Sequence, residues 1–406
     1  MDEATHSEAI YYQISFFSKE KRFENIPDSV INVPGSSTPT NLNLLLNSSI
    51  RSLDDDWKDL SFDFLIGDLL LRTSLAEFAE DHSLTTESIV QIECLLREPA
   101  PEPESDLITS DWVADVKAFN NLLCVATYDG KLSIWTLDGK LLFTGDLDND
   151  PMKCIDVFQH DKTNYAIVGG QNQTLVLCKL TVTKKLADAT PLRIFRGHER
   201  SVECVAANKD GSRIVSGSFD NCLKLWSSEN DEENSITLDN AKKAKPDFNK
   251  LPTQTPIVTL ASHREAIVGV KWNPLSEVQA VTVSWDHSMI VWDLELAGPV
   301  KTLTSNKSFT SLSINPITGQ ILTGSVDPTV RLWDIRSQEG SMVKQSFLGH
   351  TGSFDNLVKM WDIRSPKTPL YDLTGHKDRI LTVDWSMPEV IASGGVDCTI
   401  KTYRHK

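Results

Sequence analysis

The chain has 406 residues, 40% of them apolar and 24% charged, with a formal net charge of −16. That length allows two domains, and the composition is that of a globular chain rather than a disordered or fibrous one. No run approaches the ~18 apolar residues of a membrane span, and the acidic start MDEATHSEA lacks the apolar centre of a secretory signal, so neither is expected.

In chain order, YYQISFFS (11–18) alternates in the manner of a strand, and SVINVPG follows a turn near Pro27 and Asp28. TPTNLNLLLNSSIRS (38–52) predicts a helix with a Thr or Asn cap and Leu42, Leu45, Leu46 and Ile50 on its apolar side. FDFLI and DLLLR make a close strand pair around Gly67, SLAEFAEDH a short helix capped by Ser74, and SIVQIECLL (88–96) a last strand. The order β-β-α-β-β-α-β is that of a small α+β ubiquitin-like roll, which we assign to residues 1–98. Those residues hold 18 acidic against 7 basic side chains, a net of −11. Such a head is poorly suited to gripping phosphates and suited to a cationic or metal-bearing partner surface. EPAPEPESD (98–106) reads as an extended, mobile Pro/acid spacer, with the linker at 99–106.

From Asp111 onward the chain repeats. A turn aspartate is followed six positions later by an aromatic residue, with a β-branched run between. The pairs are Asp129 and Trp135, Asp220 and Trp226, Asp286 and Trp292, Asp327 and Trp333, Asp355 and Trp361, and Asp397 and Tyr403. A weaker copy, YAIVGGQNQTLVLCKL, carries Asn172 at the turn. Seven units at about forty residues predict a mainly β fold, a seven-bladed propeller over 107–406. Each unit resembles a WD repeat, in which a His, a Ser or Thr, the Asp and the Trp form one hydrogen-bonded set. The matching residues are His198, Ser216, Asp220 and Trp226, then His263, Thr282, Asp286 and Trp292. Thr323, Asp327 and Trp333 follow without a His, and His376, Ser393 and Asp397 close the series with Tyr403 in place of Trp. A buried polar set of this kind must be satisfied internally, so these residues are read as structural, no catalytic residue is assigned and no enzyme is expected. Residues 107–110 stand where other repeats place a fourth strand, which predicts that they complete the last blade and clasp the ring.

One copy is broken. From the Gly-His histidine to the turn aspartate there are 22 residues in the third unit and 5 in the sixth, so about 16 to 18 residues are missing. They correspond to the innermost strand and most of the second. A form with the segment restored is expected to be more stable. The seven cysteines form no CxxC pair and fall mostly on predicted strands, which suits buried thiols in a reducing compartment. The insertion 228–256 runs from acidic to basic and reads as a surface loop, with Lys242, Lys243, Lys245 and Lys250 as a weak nuclear-import or RNA-contact signal.

A ubiquitin-like head ahead of seven WD repeats, with FDFLIGDLLLRTSLAEFAEDHSLTTESIVQIECL, SDWVADVKAF and SFDNLVKMWDIRSPKTPLYDLTGHKDRI, resembles the ribosome assembly factors that join a Notchless-like (NLE) domain to a propeller, of the WD repeat-containing protein 12 type. The resemblance implies a scaffold in maturation of the large ribosomal subunit and its rRNA, in the nucleolus and nucleoplasm of the nucleus. Its implied partners are a block-of-proliferation-type WD protein, a pescadillo-type protein, the midasin AAA ATPase and the pre-ribosomal large-subunit particle. It implies no cofactor and no intrinsic metal. In that reading Glu87 completes the coordination of a divalent cation held by midasin, a role a loop carboxylate can fill. A substrate receptor or adaptor of the ubiquitin pathway is the alternative.

Overall fold

The computed structural model describes residues 10–23, 26–67, 69–82, 88–97, 100–183, 186–229, 251–336, 342–349 and 355–404. It divides into two compact units, Met1–Ala100 with Trp361–Leu370, and Pro101–Met360 with Tyr371–Lys406.

In the first unit, β1 (Tyr11–Phe17), β2 (Ile31–Pro34), α1 (Pro39–Arg51), β3 (Phe62–Ile66), β4 (Leu69–Leu70), α2 (Leu75–His82) and β5 (Val90–Leu96) follow in order. The sheet runs β2-β1-β5-β3-β4, with β1 and β5 parallel through Ile14 opposite Val90. Alternation buries Tyr12, Ile14 and Phe16 on the face that receives Leu42, Leu46 and Ile50 of α1. The start of α1 is fixed by Pro39 in the first turn and by Thr38, whose backbone N–H donates to Asn41 Oδ1 at 3.0 Å. Two side-chain amides then pin the chain that enters β3. Asn43 exchanges two hydrogen bonds with the backbone of Phe62 at 2.7 and 2.8 Å, and Asn47 two with Leu60 at 2.8 and 3.0 Å. Buried acids are paired inside the unit, Glu93 with Lys19 at 2.6 Å and Asp63 with Arg97 at 2.8 Å.

In the second unit, blade 1 has strands Val113–Phe119, Leu122–Thr127, Lys131–Thr136 and Leu141–Asp146, all antiparallel in sequence order from the innermost outward. Blade 2 spans Met152–Arg196, blade 3 Val202–Ala261, blade 4 Ile267–Thr304 and blade 5 Phe309–Leu348. Within the stretch read as a loop at 228–256, Thr253–Gln254 adds a short parallel fifth strand to blade 2, pairing with Ile194 and Phe195. The four insertion lysines lie outside the described residues. Glycine lets neighbouring blades close up: a Cβ at Gly217 would lie 2.4 Å from Ile267 of the next blade, and one at Gly394 2.2 Å from Val113.

Blade 7 is Ile380–Met387, Val390–Gly395 and Thr399–Arg404, completed on its outer edge by β6 (Glu102–Ile108). The clasp is thus longer than expected and begins earlier, and most of the stretch read as a mobile spacer is a strand. Its register runs from Ile108 opposite Thr399 to Glu102 opposite Arg404. The reason is positional. An outer strand needs only one bonded edge, so Pro103 is tolerated there, and the acids that resemble spacer composition are cross-strand partners: Asp106 lies 2.5 Å from Lys401 and Glu104 3.1 Å from Arg404. Leu107 is buried among Val113, Val116 and Ile400. Among the described residues the sixth blade has two strands, Val358–Met360 and Tyr371–Leu373, an antiparallel pair. Among the described residues no helix is long and apolar enough to cross a membrane.

Candidate functional site

In blade 3 the strand Arg213–Ser218 carries Ser216, the following turn carries Asp220, and the strand Cys222–Ser227 ends near Trp226. The structure brings all three to His198. Its Nδ1 lies 2.7 Å from Asp220 Oδ2 and its Nε2 2.7 Å from Ser216 Oγ, which also accepts the Trp226 indole N–H at 2.8 Å. Blade 4 repeats the set, with His263 2.9 Å from Asp286 and 2.7 Å from Thr282, and Trp292 donating to Thr282 at 2.7 Å. In blade 7 His376 reaches Asp397 at 3.0 Å and Ser393 at 2.8 Å, and Tyr403 donates its hydroxyl proton to the Thr374 carbonyl at 3.3 Å. Blade 5 has no His; Arg331 takes over its carboxylate contact, donating to Asp327 at 2.6 Å, and Trp333 donates to Thr323 at 2.8 Å. Blade 1 moves the hydroxyl to the next strand, where Ser133 accepts from Trp135 at 3.0 Å.

Burial lowers His198, His263 and His376 below the ordinary imidazole range, more than their aspartate partners raise them. Burial pushes the three aspartates up, but their hydrogen bonds, His partners among the donors, outweigh it and hold each below the usual carboxylate value. Neutral imidazoles with both nitrogens engaged have no valence left for a substrate.

A second polar layer escapes sequence reading because each of its bonds spans two blades. Asp115 accepts the Ile155 N–H of blade 2 at 3.0 Å and the Thr382 hydroxyl of blade 7 at 2.8 Å. Asp156 accepts the Ala207 N–H of blade 3 at 2.8 Å, and Asp384 the Ala118 N–H of blade 1 at 2.9 Å. Lys117 donates to Asp384 at 2.9 Å. Burial alone would lower that lysine, but Asp384, Asp115 and Asp156 raise it well above its ordinary value. Lys271 is pulled below its own, chiefly by the Lys117 charge. These groups stitch innermost strands together, and their charges are spent on one another.

A third repeated position faces outward. The residue just ahead of five turn aspartates donates its N–H to the carbonyl ahead of the innermost strand: Tyr128 to Trp112 at 3.0 Å, Phe219 to Ser201 at 3.0 Å, Trp285 to Ala266 at 3.1 Å, Val326 to Ser308 at 3.1 Å and Val396 to Arg379 at 2.9 Å. One rim of the propeller therefore presents a row of apolar side chains. Phe219 and Trp285 meet edge to face at 5.1 Å, Trp112 and Tyr128 at 5.5 Å, and the Lys153 ammonium sits 4.4 Å from the Tyr128 ring centroid. Trp112 and Trp285 each remain 42% exposed. The signal available in the sequence was a large apolar residue before the aspartate in YD, FD, WD and VD.

Glu87 lies outside the described residues. Among the described residues no group of three or more His, Cys, Asp or Glu side chains is placed to hold a metal ion. The cysteines at 94, 124, 154, 178 and 204 are buried, and burial pushes the Cys124 thiol up to about 12.

The model of the NLE (NUC135) domain matches residues 12–79, and that of the WD domain, G-beta repeat, matches 189–227, 254–293, 297–334 and 367–404. The chain is 43% identical over 405 residues to a ribosome biogenesis protein WDR12 homolog of Brugia malayi, covering 95% of this chain and 94% of the relative. It is 38% identical over 444 residues to that of Caenorhabditis briggsae, at 99% and 98% coverage, and 34% identical to that of Aedes aegypti, at 97% and 95%. Among solved structures it resembles the WD40 beta propeller domain of Doa1, with a TM-score of 0.59 and 17% identity over 76% of this chain and 98% of that one. That last likeness establishes the fold alone.

Proposed function

The chain belongs to the WDR12 family of ribosome biogenesis proteins, and from that premise we propose that it is a non-enzymatic scaffold for maturation of the large ribosomal subunit, working in the nucleolus and nucleoplasm. The observation that carries the reading is the contrast between two repeated positions. The His, Ser or Thr, and Asp groups that could serve chemistry are consumed inside the blades, while the rim position keeps Tyr128, Phe219 and Trp285, with Trp112 beside Tyr128, for contact. Exposed aromatic residues are the usual anchors of protein interfaces. In the role that the family resemblance implies, the propeller holds a block-of-proliferation-type WD protein and, with it, a pescadillo-type protein, and the aromatic rim is the surface available for that contact. The acidic head engages midasin, with Glu87 supplying one oxygen to the divalent cation held there.

Affinity purification of the full chain separates the two halves of this reading. Glu87→Ala loses midasin and keeps the scaffold partners. Unchanged midasin recovery in magnesium contradicts the assignment of Glu87, and recovery of ubiquitin-ligase subunits in place of pre-ribosomal proteins contradicts the scaffold reading.

A further inference from the structure

The shortened sixth blade leaves a slot whose shape the other blades define. Leu322, on the second strand of blade 5, holds the place that Val215 and Val281 hold in blades 3 and 4. Those two are fully buried against the next blade, whereas Leu322 is 37% exposed. Val383, on the innermost strand of blade 7, matches Val116, Ile155, Val205 and Val270, none more than 5% exposed and each packed on the preceding blade. Val383 is 40% exposed, with Leu381 and Trp385 exposed on the same strand. Gly324 shows the same vacancy. A Cβ at Gly217 would strike the next blade, but the three atoms nearest to one at Gly324 all belong to Ser311 and Thr310 of its own blade. Innermost strands pack on one another from blade 7 through blade 1 to blade 5, and among the described residues no comparable packing joins blade 5 to blade 7. Among the described residues the strand Val358–Met360 is paired on one side, with Tyr371–Leu373.

We propose that this slot receives a β-hairpin from another protein, two extended apolar strands of about 16 to 18 residues in all, the length by which the sixth repeat is short. The open edge of Val358–Met360 supplies main-chain donors and acceptors for the hairpin's outer strand, and Leu322 and Val383 are the apolar walls between which its side chains lie. A second copy of this chain does not fit, because each of its complete blades uses its own inner hairpin and its clasp strand is already paired in blade 7. This slot is a surface separate from the aromatic rim.

The probe is a labelled peptide with the sequence of the inner hairpin of blade 3, Val202–Ser218, added to the full chain and followed by fluorescence anisotropy and thermal melting. Saturable binding with a rise in Tm is expected, as for any ligand of the folded state. Leu322→Asp or Val383→Asp weakens it about tenfold or more, and a variant with the same hairpin inserted after His350 does not bind. If the filled variant does not fold, the two Asp variants decide the matter alone. Absence of binding, equal binding to native and Asp variants, or dimerisation of the chain through this slot without peptide each overturns the proposal.

Discussion

Trp226 and His198 bind the same atom. The indole N–H donates to Ser216 Oγ at 2.8 Å, and His198 Nε2 lies 2.7 Å from that oxygen. Asp220, an acceptor only, places the ring proton on Nδ1, so Nε2 accepts the serine hydroxyl proton while the same oxygen accepts from the indole. Ser216→Ala therefore strands two buried partners at once and should cost about 2–4 kcal/mol, read as a lower urea midpoint for the propeller transition. Ser216→Thr should cost far less, since Thr282 fills the same place in blade 4.

Stability should fall with acid in two stages. His198, His263 and His376 titrate below their unfolded value. Their contribution is complete above a pH of about 6.5 and is lost as the pH drops through their folded values. Asp220, Asp286 and Asp397 are also depressed, and their contribution goes below a pH of about 4. The buried thiols are raised, so they add a loss only above a pH of about 8.5. Tm measured from pH 8 to 4 should hold between 7 and 8 and decline below. A flat profile between 7 and 5 contradicts the histidine assignment.

The clasp makes truncation sensitive to a few residues. Removing residues 1–100 should leave blade 7 closed, whereas removing residues 1–108 takes β6 away and exposes an edge. The longer truncation should lower Tm sharply and promote aggregation in light scattering. Leu107→Ala, within the intact chain, should cost about 2–5 kcal/mol.

Restoring the missing part of the sixth blade should raise Tm, because it buries Leu322 and Val383 and pairs the edge of Val358–Met360. Differential scanning calorimetry of the two lengths measures this directly, and equal midpoints contradict it.

Local chemistry was readable from the sequence; contacts between distant segments were not. The turn aspartates, their aromatic partners and the alternating strands are periodic within one repeat, and the head's elements follow from apolar spacing and the Thr38–Pro39 start of α1. Three features lay beyond that reach. Asp115, Asp156 and Asp384 bond to the next blade, so no spacing within a repeat marks them. Arg331 substitutes for a histidine from a different strand, two residues before Trp333. The stretch from Glu102 has the composition of a linker, and only its cross-strand partners Lys401 and Arg404, roughly three hundred residues away, make it a strand.

A scaffold of this kind needs the aromatic rim as a contact surface rather than as part of the core. The direct test is affinity purification of the full chain carrying Phe219→Ala and Trp285→Ala, alongside its melting curve. Loss of the pre-ribosomal scaffold partners with Tm within about 3 °C of the parent is predicted. Full partner recovery from a folded double variant would contradict it.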